Sequence, residues 1–146
     1  MIGLLQRVAR AGVNVDGKEV GAIGTGLLVL VGVQRGDGAA QAERLLERML
    51  LYRVWPDAEG KMNLSLRDTG GGLLLVPQFT LAADTSSGTR ASFTTAAEPG
   101  VARTLFAHLL DRARAAHPVV ASGQFGADMR VSLVNDGPVT FWIEVH

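Results

Sequence analysis

The chain has 146 residues, near the usual size of one domain, and its 14 basic and 14 acidic side chains cancel, so no broad positive field is present to coat a nucleic-acid duplex. It has no cysteine, and its three histidines lie scattered without ligand spacing, which excludes disulfides and thiolate chemistry and predicts no bound metal. No apolar run approaches a membrane span and the start is too soon interrupted for a signal peptide, so we expect a cytoplasmic protein without a membrane partner.

The first third of the chain predicts strands before any helix. Residues 1–8 alternate as a strand, a hairpin turns at the Asp16-Gly17 pair, and the continuous apolar run at 27–31 is typical of a strand buried on both faces. Asp37 is placed to cap a helix over residues 38–51. The apolar stripe of that helix consists of Ala42, Leu45, Leu46, Met49 and Leu50. Such a stripe needs a sheet to cover it.

The middle of the chain predicts two more strands and a polar loop. Residues 62–66 alternate as a short strand, and the apolar run at 73–76 after three glycines predicts a strand buried on both faces. Pro77 ends its pairing because proline cannot donate to a ladder. The small polar residues at 84–90 are typical of a loop, which we expect at the rim of a site.

The last third predicts a second helix and a final hairpin. The helix opens at Pro99 and runs to residue 116. Its apolar face is predicted to be Val101, Leu105, Leu109 and Ala113. Two alternating runs, 131–134 and 139–145, follow as the hairpin strands. The whole pattern predicts an α+β fold in a single domain, residues 1–146, with a small β-barrel-like sheet and two packing helices.

Polar groups begin where the buried strand ends. Gln78 and Thr80 would point the same way from a rigid strand, as a site requires, or they form the solvent face of an ordinary strand. Thr80 could attack an ester, but a threonine hydroxyl without a neighbouring base is a weak nucleophile, and no nucleophile–histidine pair is visible. A better use of the segment is electrostatic. The backbone N–H groups of Phe79 and Thr80, left unpaired where Pro77 breaks the ladder, can form an oxyanion hole.

A Gly-Pro pair between the last two runs is a second candidate. Asn135-Asp136-Gly137-Pro138 is by default a hairpin turn. Pro138 cannot donate in a paired strand, however, and Gly137 tolerates backbone angles closed to other residues. The pair can therefore present carbonyl oxygens outward in a fixed direction, and fixed carbonyls bind an ammonium group.

Gln78-Phe79-Thr80-Leu81 followed by Asn135 to Thr140 resembles the D-aminoacyl-tRNA deacylase family, formerly called D-tyrosyl-tRNA deacylases. The similarity runs from end to end and includes residues 6–8, 26–30, 57–63, 78–84 and 127–142. The resemblance implies a homodimer of small β-barrels that needs no metal or cofactor. Its implied reaction is hydrolysis of the ester between a D-amino acid, or glycine mischarged on tRNA(Ala), and the terminal adenosine of tRNA. The implied partner is thus the aminoacylated CCA end of tRNA.

The resemblance also implies a role for each candidate residue. The Gly137-Pro138 bond would be cis, and the pair would enter the partner subunit's site, where its carbonyls hold the substrate's α-amino group. The catalytic segment is implied to be Gln78, Phe79 and Thr80. The residues implied to line the adenine pocket are Phe125 and Met129, and those that support the Gly-Pro loop are Arg7 and Asn135.

This arrangement would select by chirality. Fixing the amino group, the ester carbonyl and the Cα hydrogen leaves one direction for a side chain, so an L side chain meets the wall while glycine passes. Because no base is evident in the sequence, the implied help of the tRNA's own 2′-OH in delivering water is economical, and it explains recognition of an RNA end by a neutral protein.

Pro77 departs from the family pattern, in which this segment usually begins with Ser. A serine nucleophile is excluded there. A proline start is similar to a sister group of deacylases that accepts some L-substrates, so substrate range stays open. Two rival readings also stay open: a non-catalytic module that binds the aminoacyl-CCA end, and a small β-rich dimer whose Gly137-Pro138 is only a turn.

Overall fold

Strands outnumber helices in the computed structural model, which describes residues 1–146, and the predicted α+β class is confirmed. The strands are β1 (Ile2–Val15), β2 (Lys18–Ile23), β3 (Gly26–Gly32), β4 (Trp55–Pro56), β5 (Met62–Leu64), β6 (Gly72–Pro77), β7 (Val120–Ser122) and β8 (Met129–Glu144). The helices are α1 (Ala39–Leu51), α2 (Leu66–Thr69) and α3 (Pro99–Ala116). A 3-10 turn, Phe79–Ala82, follows β6. None of the helices combines the length and the apolarity needed to cross a membrane.

The long strand β1 organises the sheet. Leu5 pairs with Val29 of β3 on one side and with Phe141 of β8 on the other. Farther along, β1 pairs with β2 through the predicted hairpin, where Asp16 and Gly17 both have positive φ. Strands β6 and β7 join β3 in parallel, which gives the order β2-β1-β3-β6-β7 with β8 attached to β1.

The sheet curls until its two ends meet. A Cβ atom on Gly21 of β2 would lie 2.5 Å from the carbonyl oxygen of Ser122 of β7, so a residue without a side chain is needed at this approach. The predicted barrel-like sheet is therefore confirmed as a nearly closed barrel. Strand β8 pairs with β1 alone, and its other edge has no partner strand in the chain.

The apolar run of β3 lacks alternation because both faces of the strand are buried. Leu27 and Val29 belong to a large cluster that includes residues of α1 and α3, while Leu28 packs in a smaller cluster with Leu74 and Val76 of β6. A fully buried aliphatic side chain stabilises the fold by about 1.5–3 kcal/mol. The two clusters therefore hold β3 and β6 in place, including the end of β6.

The helix faces were largely predictable. All five residues predicted for the stripe of α1 are buried. In α3, Leu105 and Leu109 are buried as predicted, but Val101 is 49% exposed, and Ala102 and Phe106 take its place in the core. Val101 lies about 90° around the helix from the centre of the buried face, beyond the contact with the sheet.

The start of α1 differs from the prediction. Its N-cap is Gly38, whose N–H donates to Gln41 Oε1 at 2.8 Å. Asp37 is turned inward instead, where its carboxylate accepts from the α-amino group of Met1 at 2.9 Å and from the backbone N–H of Gln34 at 2.7 Å. The charge-assisted bond to the α-amino group of Met1 is stronger than a bond to a helix N–H, so the Asp37 side chain does not cap the helix.

The predicted strand 62–66 ends early at Leu64, and a third helix, α2, was missed. Ser65 Oγ accepts from the backbone N–H of Asp68 at 3.2 Å, while the Asp68 carboxylate accepts from the backbone N–H of Ser65 at 2.8 Å. The backbone N–H and the hydroxyl of Ser65 both donate to the Asp68 carboxylate, and these bonds hold the pKa of the Asp68 carboxyl below its usual value. Such a reciprocal capping box starts a helix, and Gly70 at φ 71° ends it.

The predicted final hairpin is wrong. Both runs belong to one strand, β8, and both pair with β1 in the same direction. Asn135 pairs with Val8 and Thr140 with Gln6, so four residues, 136–139, stand opposite the single residue Arg7. This insertion, here called the 136–139 bulge, leaves the sheet and returns to it without reversing the chain. The alternation predicted for both runs is observed: Ile143 and Val145 are buried, and Val131, Leu133, Val139 and Phe141 pack against the core.

Candidate active site

A cavity of about 450 Å³ opens where β6 ends, beside the start of α3. Four of the predicted site residues line it: Gln78, Phe79, Phe125 and Met129. The other lining residues are Val76, Pro77, Ala97, Pro99, Ala102, Gly126, Ala127 and Val131. None of the lining residues is charged, so the cavity suits a flat, largely apolar group with a few polar atoms.

The end of β6 presents free backbone donors beside this cavity. The N–H of Gln78 still donates to the carbonyl oxygen of Val31 at 2.8 Å, and the chain then enters the 3-10 turn. The first bond at the start of the turn runs from the N–H of Leu81 to the carbonyl oxygen of Gln78 at 3.1 Å. The N–H groups of Phe79 and Thr80 precede that bond and have no acceptor within the turn. The sequence predicted these two donors, although it placed them on a strand.

The side chains of Gln78 and Thr80 bond to each other. Gln78 Nε2 donates to Thr80 Oγ1 at 2.5 Å. An amide has no useful basicity, so Gln78 cannot take a proton from the threonine hydroxyl. Thr80 is exposed and does not line the cavity. The geometry therefore favours the backbone of this segment over the threonine hydroxyl as its chemical group.

An exposed aromatic pair forms the rim on this side. The ring centroids of Phe79 and Phe93 are 4.9 Å apart, and the two residues are 57% and 44% exposed. Asp84 and Ser92 exchange backbone hydrogen bonds and close the polar loop, and Phe93 follows directly after it. Hydrogen bonds from Ser86 hold the pKa of the Asp84 carboxyl below its usual value. The closed end of the polar loop thus lies beside the aromatic pair, and its place at the rim of a site stays a prediction.

The opposite wall is held by the segment before β8. The backbone N–H of Gln124 donates to Met129 Sδ at 3.3 Å, which fixes the thioether against the wall. The guanidinium carbon of Arg103 lies 4.8 Å from the ring centroid of Phe125. Phe125 and Met129 therefore have fixed neighbours, and together they form an apolar part of the cavity wall, here called the apolar slot.

The 136–139 bulge forms a second polar structure. Arg7 donates to the carbonyl oxygen of Asp136 at 3.2 Å and to that of Val54 at 2.6 Å, and its side chain is 12% exposed. The Asn135 amide donates to the carbonyl oxygens of Arg7 at 2.9 Å and Val139 at 3.1 Å, which closes the base of the bulge. Arg7 and Asn135 thus brace the bulge in the structure.

Gly137 occupies the tightest point of the bulge. Its φ is +128°, and a Cβ atom there would lie 2.8 Å from Val139 Cγ2, so no other residue fits without a shift. The bond from Gly137 to Pro138 is cis. Neither Gly137 nor Pro138 lines the cavity of its own chain, and neither do Arg7 and Asn135. The predicted site residues thus form two groups, one at the cavity and one at the bulge.

Comparison with known proteins shows the family of this chain. The model of the family described as D-Tyr-tRNA(Tyr) deacylase matches residues 4–144. The chain belongs to this family. Two relatives named D-aminoacyl-tRNA deacylase, from Thioalkalivibrio sulfidiphilus and Ralstonia nicotianae, are 70% and 62% identical over 99% of the chain and over 97% and 90% of their own lengths.

Solved structures agree with the deacylase family fold. A c-Myc DNA Unwinding Element Binding Protein superposes with a TM-score of 0.95 at 34% identity, covering 100% of this chain and 99% of the other. A probable eukaryotic D-amino acid tRNA deacylase has a TM-score of 0.83 at 17% identity over 99% of this chain and 98% of its own, which shows the shared fold.

Several residues that line or flank the cavity were missed by the sequence reasoning. Ala97, Pro99 and Ala102 bring the start of α3 into the cavity wall, although Pro99 was interpreted only as a helix start. Phe93 was a lone aromatic in a polar stretch, a signal that could have marked it. Arg103 carried no signal, because an exposed arginine on a helix is ordinary.

No group of three His, Asp or Glu side chains converges as metal ligands would.

Proposed function

We propose that this protein removes D-amino acids from tRNA by hydrolysing the ester that joins them to the terminal adenosine. That the chain is a D-aminoacyl-tRNA deacylase, a hydrolase of ester bonds, follows from its full-length identity to the curated relatives. The observation that carries the reaction is the uncharged cavity of about 450 Å³ with the free N–H groups of Phe79 and Thr80 at its edge. A tRNA substrate implies that the enzyme works in the cytoplasm.

The cavity suits the terminal adenosine. Its base would lie in the slot formed by Phe125 and Met129, stacked against an aromatic ring as bases in single strands are. The ester carbonyl would then lie at the N–H groups of Phe79 and Thr80. These donors stabilise the oxyanion of the tetrahedral intermediate, and one such donor is worth about 10²–10³ in rate. The 2′-OH of the adenosine, next to the ester, would orient the attacking water.

A second copy of the chain would complete the site. The 136–139 bulge lies on β8, the strand with an unpartnered edge, and Gly137 and Pro138 do not line their own cavity. In a homodimer the bulge of one subunit can enter the cavity of the other. Carbonyl oxygens of Gly137 and Pro138 would then accept hydrogen bonds from the α-ammonium group of the substrate, which is a charge-assisted contact.

This arrangement would reject L-amino acids by clash. With the ammonium group held by the bulge and the ester carbonyl by the 3-10 turn, only one direction is left for a side chain. A D side chain points to solvent and an L side chain meets the wall, whereas glycine has nothing to reject. Glycyl-tRNA(Ala) is therefore a proposed substrate as well.

The test is release of labelled amino acid from matched D-tyrosyl-tRNA, L-tyrosyl-tRNA and glycyl-tRNA(Ala). We expect rapid loss of the D and glycyl esters, with the L-ester no faster than in buffer. Equal loss of D and L would overturn the chiral selection and would indicate a pocket relaxed by Pro77. Stability of all three esters would favour a protein that only binds an aminoacylated RNA end.

DNA binding is the other function that a solved relative's name suggests. The neutral chain does not favour it, since binding along a duplex needs a clustered positive surface and its strength falls steeply with salt. A gel-shift titration with duplex DNA at physiological salt is the matched negative control for the deacylation test.

A further inference from the structure

Arg103 lies against the outer side of the cavity wall. Its guanidinium carbon is 4.8 Å from the ring centroid of Phe125, and a Cβ atom on Gly126 would lie 3.3 Å from Arg103 Nη2. Phe125 and Gly126 both line the cavity, while Arg103 itself is exposed to solvent. The guanidinium is thus held at the rim of the cavity.

The guanidinium of Arg103 is not paired with a carboxylate. Arg7, Arg35 and Arg112 each lie within 4.0 Å of a carboxylate, but Arg103 forms no ion pair in the structure. The cavity wall contains no charged residue, so Arg103 contributes a cation directly beside it. Because the chain has zero net charge, an anionic ligand is attracted to this cavity only by a local cation, and Arg103 is such a cation.

The contact with Phe125 leaves the hydrogen-bonding edge of the guanidinium available. The attraction of a cation to an aromatic ring uses the charge of the guanidinium and does not require any of its five in-plane N–H groups as a hydrogen-bond donor. In-plane donors match the geometry of a phosphate group, which arginine often binds in a bidentate manner. The ring therefore positions the guanidinium without using the groups that would bind a phosphate.

We propose that Arg103 binds the phosphodiester on the 5′ side of the terminal adenosine when that nucleoside occupies the cavity. The base and ribose can be buried in the apolar slot, but the phosphate must stay hydrated or paired, so it lies at the rim. Arg103 is the unpaired cation next to that position. The inference rests on the proposed function and adds to it the residue that positions the RNA strand.

The experiment compares Arg103→Gln with Arg112→Gln, which removes the same charge from the same helix about 13 Å farther along. With D-tyrosyl-tRNA, Arg103→Gln should raise KM about fivefold at low salt and leave kcat unchanged. Between about 50 and 200 mM salt, the slope of log KM against log salt should fall by about 0.7, as for one lost phosphate contact with a single strand. Arg112→Gln should behave as the wild type, and Arg103→Lys should keep most of the salt slope.

A phosphate-free substrate, 3′-O-D-tyrosyl-adenosine, separates this role from a structural one. Arg103→Gln should hydrolyse it with the wild-type KM. An equal rise in KM on both esters would mean that Arg103 acts only through Phe125, and an unchanged salt slope on the tRNA would mean that it binds no phosphate; either result overturns the inference and leaves D-ester hydrolysis intact. A wild-type protein inactive on both esters would overturn the proposed function, and this inference with it.

Discussion

At the residue scale, the edge of the cavity that we propose to be reactive is made of peptide groups. The free N–H groups of Phe79 and Thr80 exist because Pro77 ends β6 and a 3-10 turn follows at once. The nearby side chains offer no base, since the Gln78 amide donates to the Thr80 hydroxyl. We therefore expect the rate of ester hydrolysis to change little when a side chain of this segment is removed.

Thr80→Ala tests this expectation. The change keeps the backbone N–H and removes only the hydroxyl, so kcat/KM for D-tyrosyl-tRNA should stay within about tenfold of wild type, equivalent to about 1.4 kcal/mol of barrier. Thr85→Ala, in the neighbouring loop, is the matched control. A loss beyond about a thousandfold in Thr80→Ala alone would make the hydroxyl the nucleophile and contradict the oxyanion role of the backbone.

Many residues of the candidate site could be predicted from the sequence, because they belong to short motifs or lie close to them in the chain. The family resemblance implied Gln78 and Phe79 in the catalytic segment and Phe125 and Met129 at the adenine pocket, and all four line one cavity. Their catalytic and binding roles stay predictions. Contacts made across the fold could not be predicted, such as Arg103 over Phe125, because they depend on how α3 packs beside β8 rather than on neighbours in the chain.

At the element scale, the 136–139 bulge is the main irregularity of the sheet, and side chains of neighbouring residues hold it in place. Arg7 faces the bulge from β1 and bonds to two carbonyl oxygens, one in the bulge and one at Val54. Its guanidinium also lies 3.3 Å from the Asp136 carboxylate. One side chain thus ties the bulge to the sheet and to the segment that follows α1.

Arg7→Ala should loosen this element. The carbonyl oxygen of Val54, a buried residue, would lose its donor, and an unpaired buried polar group costs about 1–3 kcal/mol of unfolding free energy. Urea denaturation measures that loss, and hydrolysis of D-tyrosyl-tRNA should fall with it as the bulge loses its orientation. Arg10→Ala, on the same strand at an exposed position without an ion pair, should change neither quantity. Equal stability of the two variants would contradict the bracing role.

The element scale also explains where sequence reasoning failed. The runs at 131–134 and 139–145 had the alternation and the turn residues of a hairpin, and local pattern cannot tell a reversal from an insertion in a single strand. That choice depends on β1, which is long enough to pair with both runs. The cap of α1 failed for a similar reason, because the partners of Asp37 come from Met1 and Gln34.

At the scale of the whole molecule, each chain carries two groups of candidate site residues that do not meet within it. The cavity lies between β6 and α3, while the bulge lies on the strand whose outer edge is free. The proposed dimer would place each bulge in the cavity of the other subunit. Every complete site would then contain residues from both chains.

Mixing two defective variants tests the shared site. Gly137→Ala should spoil the bulge through a strained φ and a clash with Val139, and Ala127→Trp should fill the cavity, so each homodimer should be inactive. After the two are unfolded and refolded together, half of the dimers are mixed and each contains one intact site. Activity should therefore return to about a quarter of the wild-type value. Sites formed within one chain would regain nothing on mixing.

The backbone donors of the 3-10 turn also bear on how such an enzyme can change over generations. A backbone N–H is lost only by a change to proline, so the side chains at positions 78 to 80 can otherwise vary as long as the path of the chain is kept. The constraint moves to residues that shape that path, such as the glycines at close approaches and the arginine behind the bulge. Deleterious variants should thus cluster among residues that never touch the substrate.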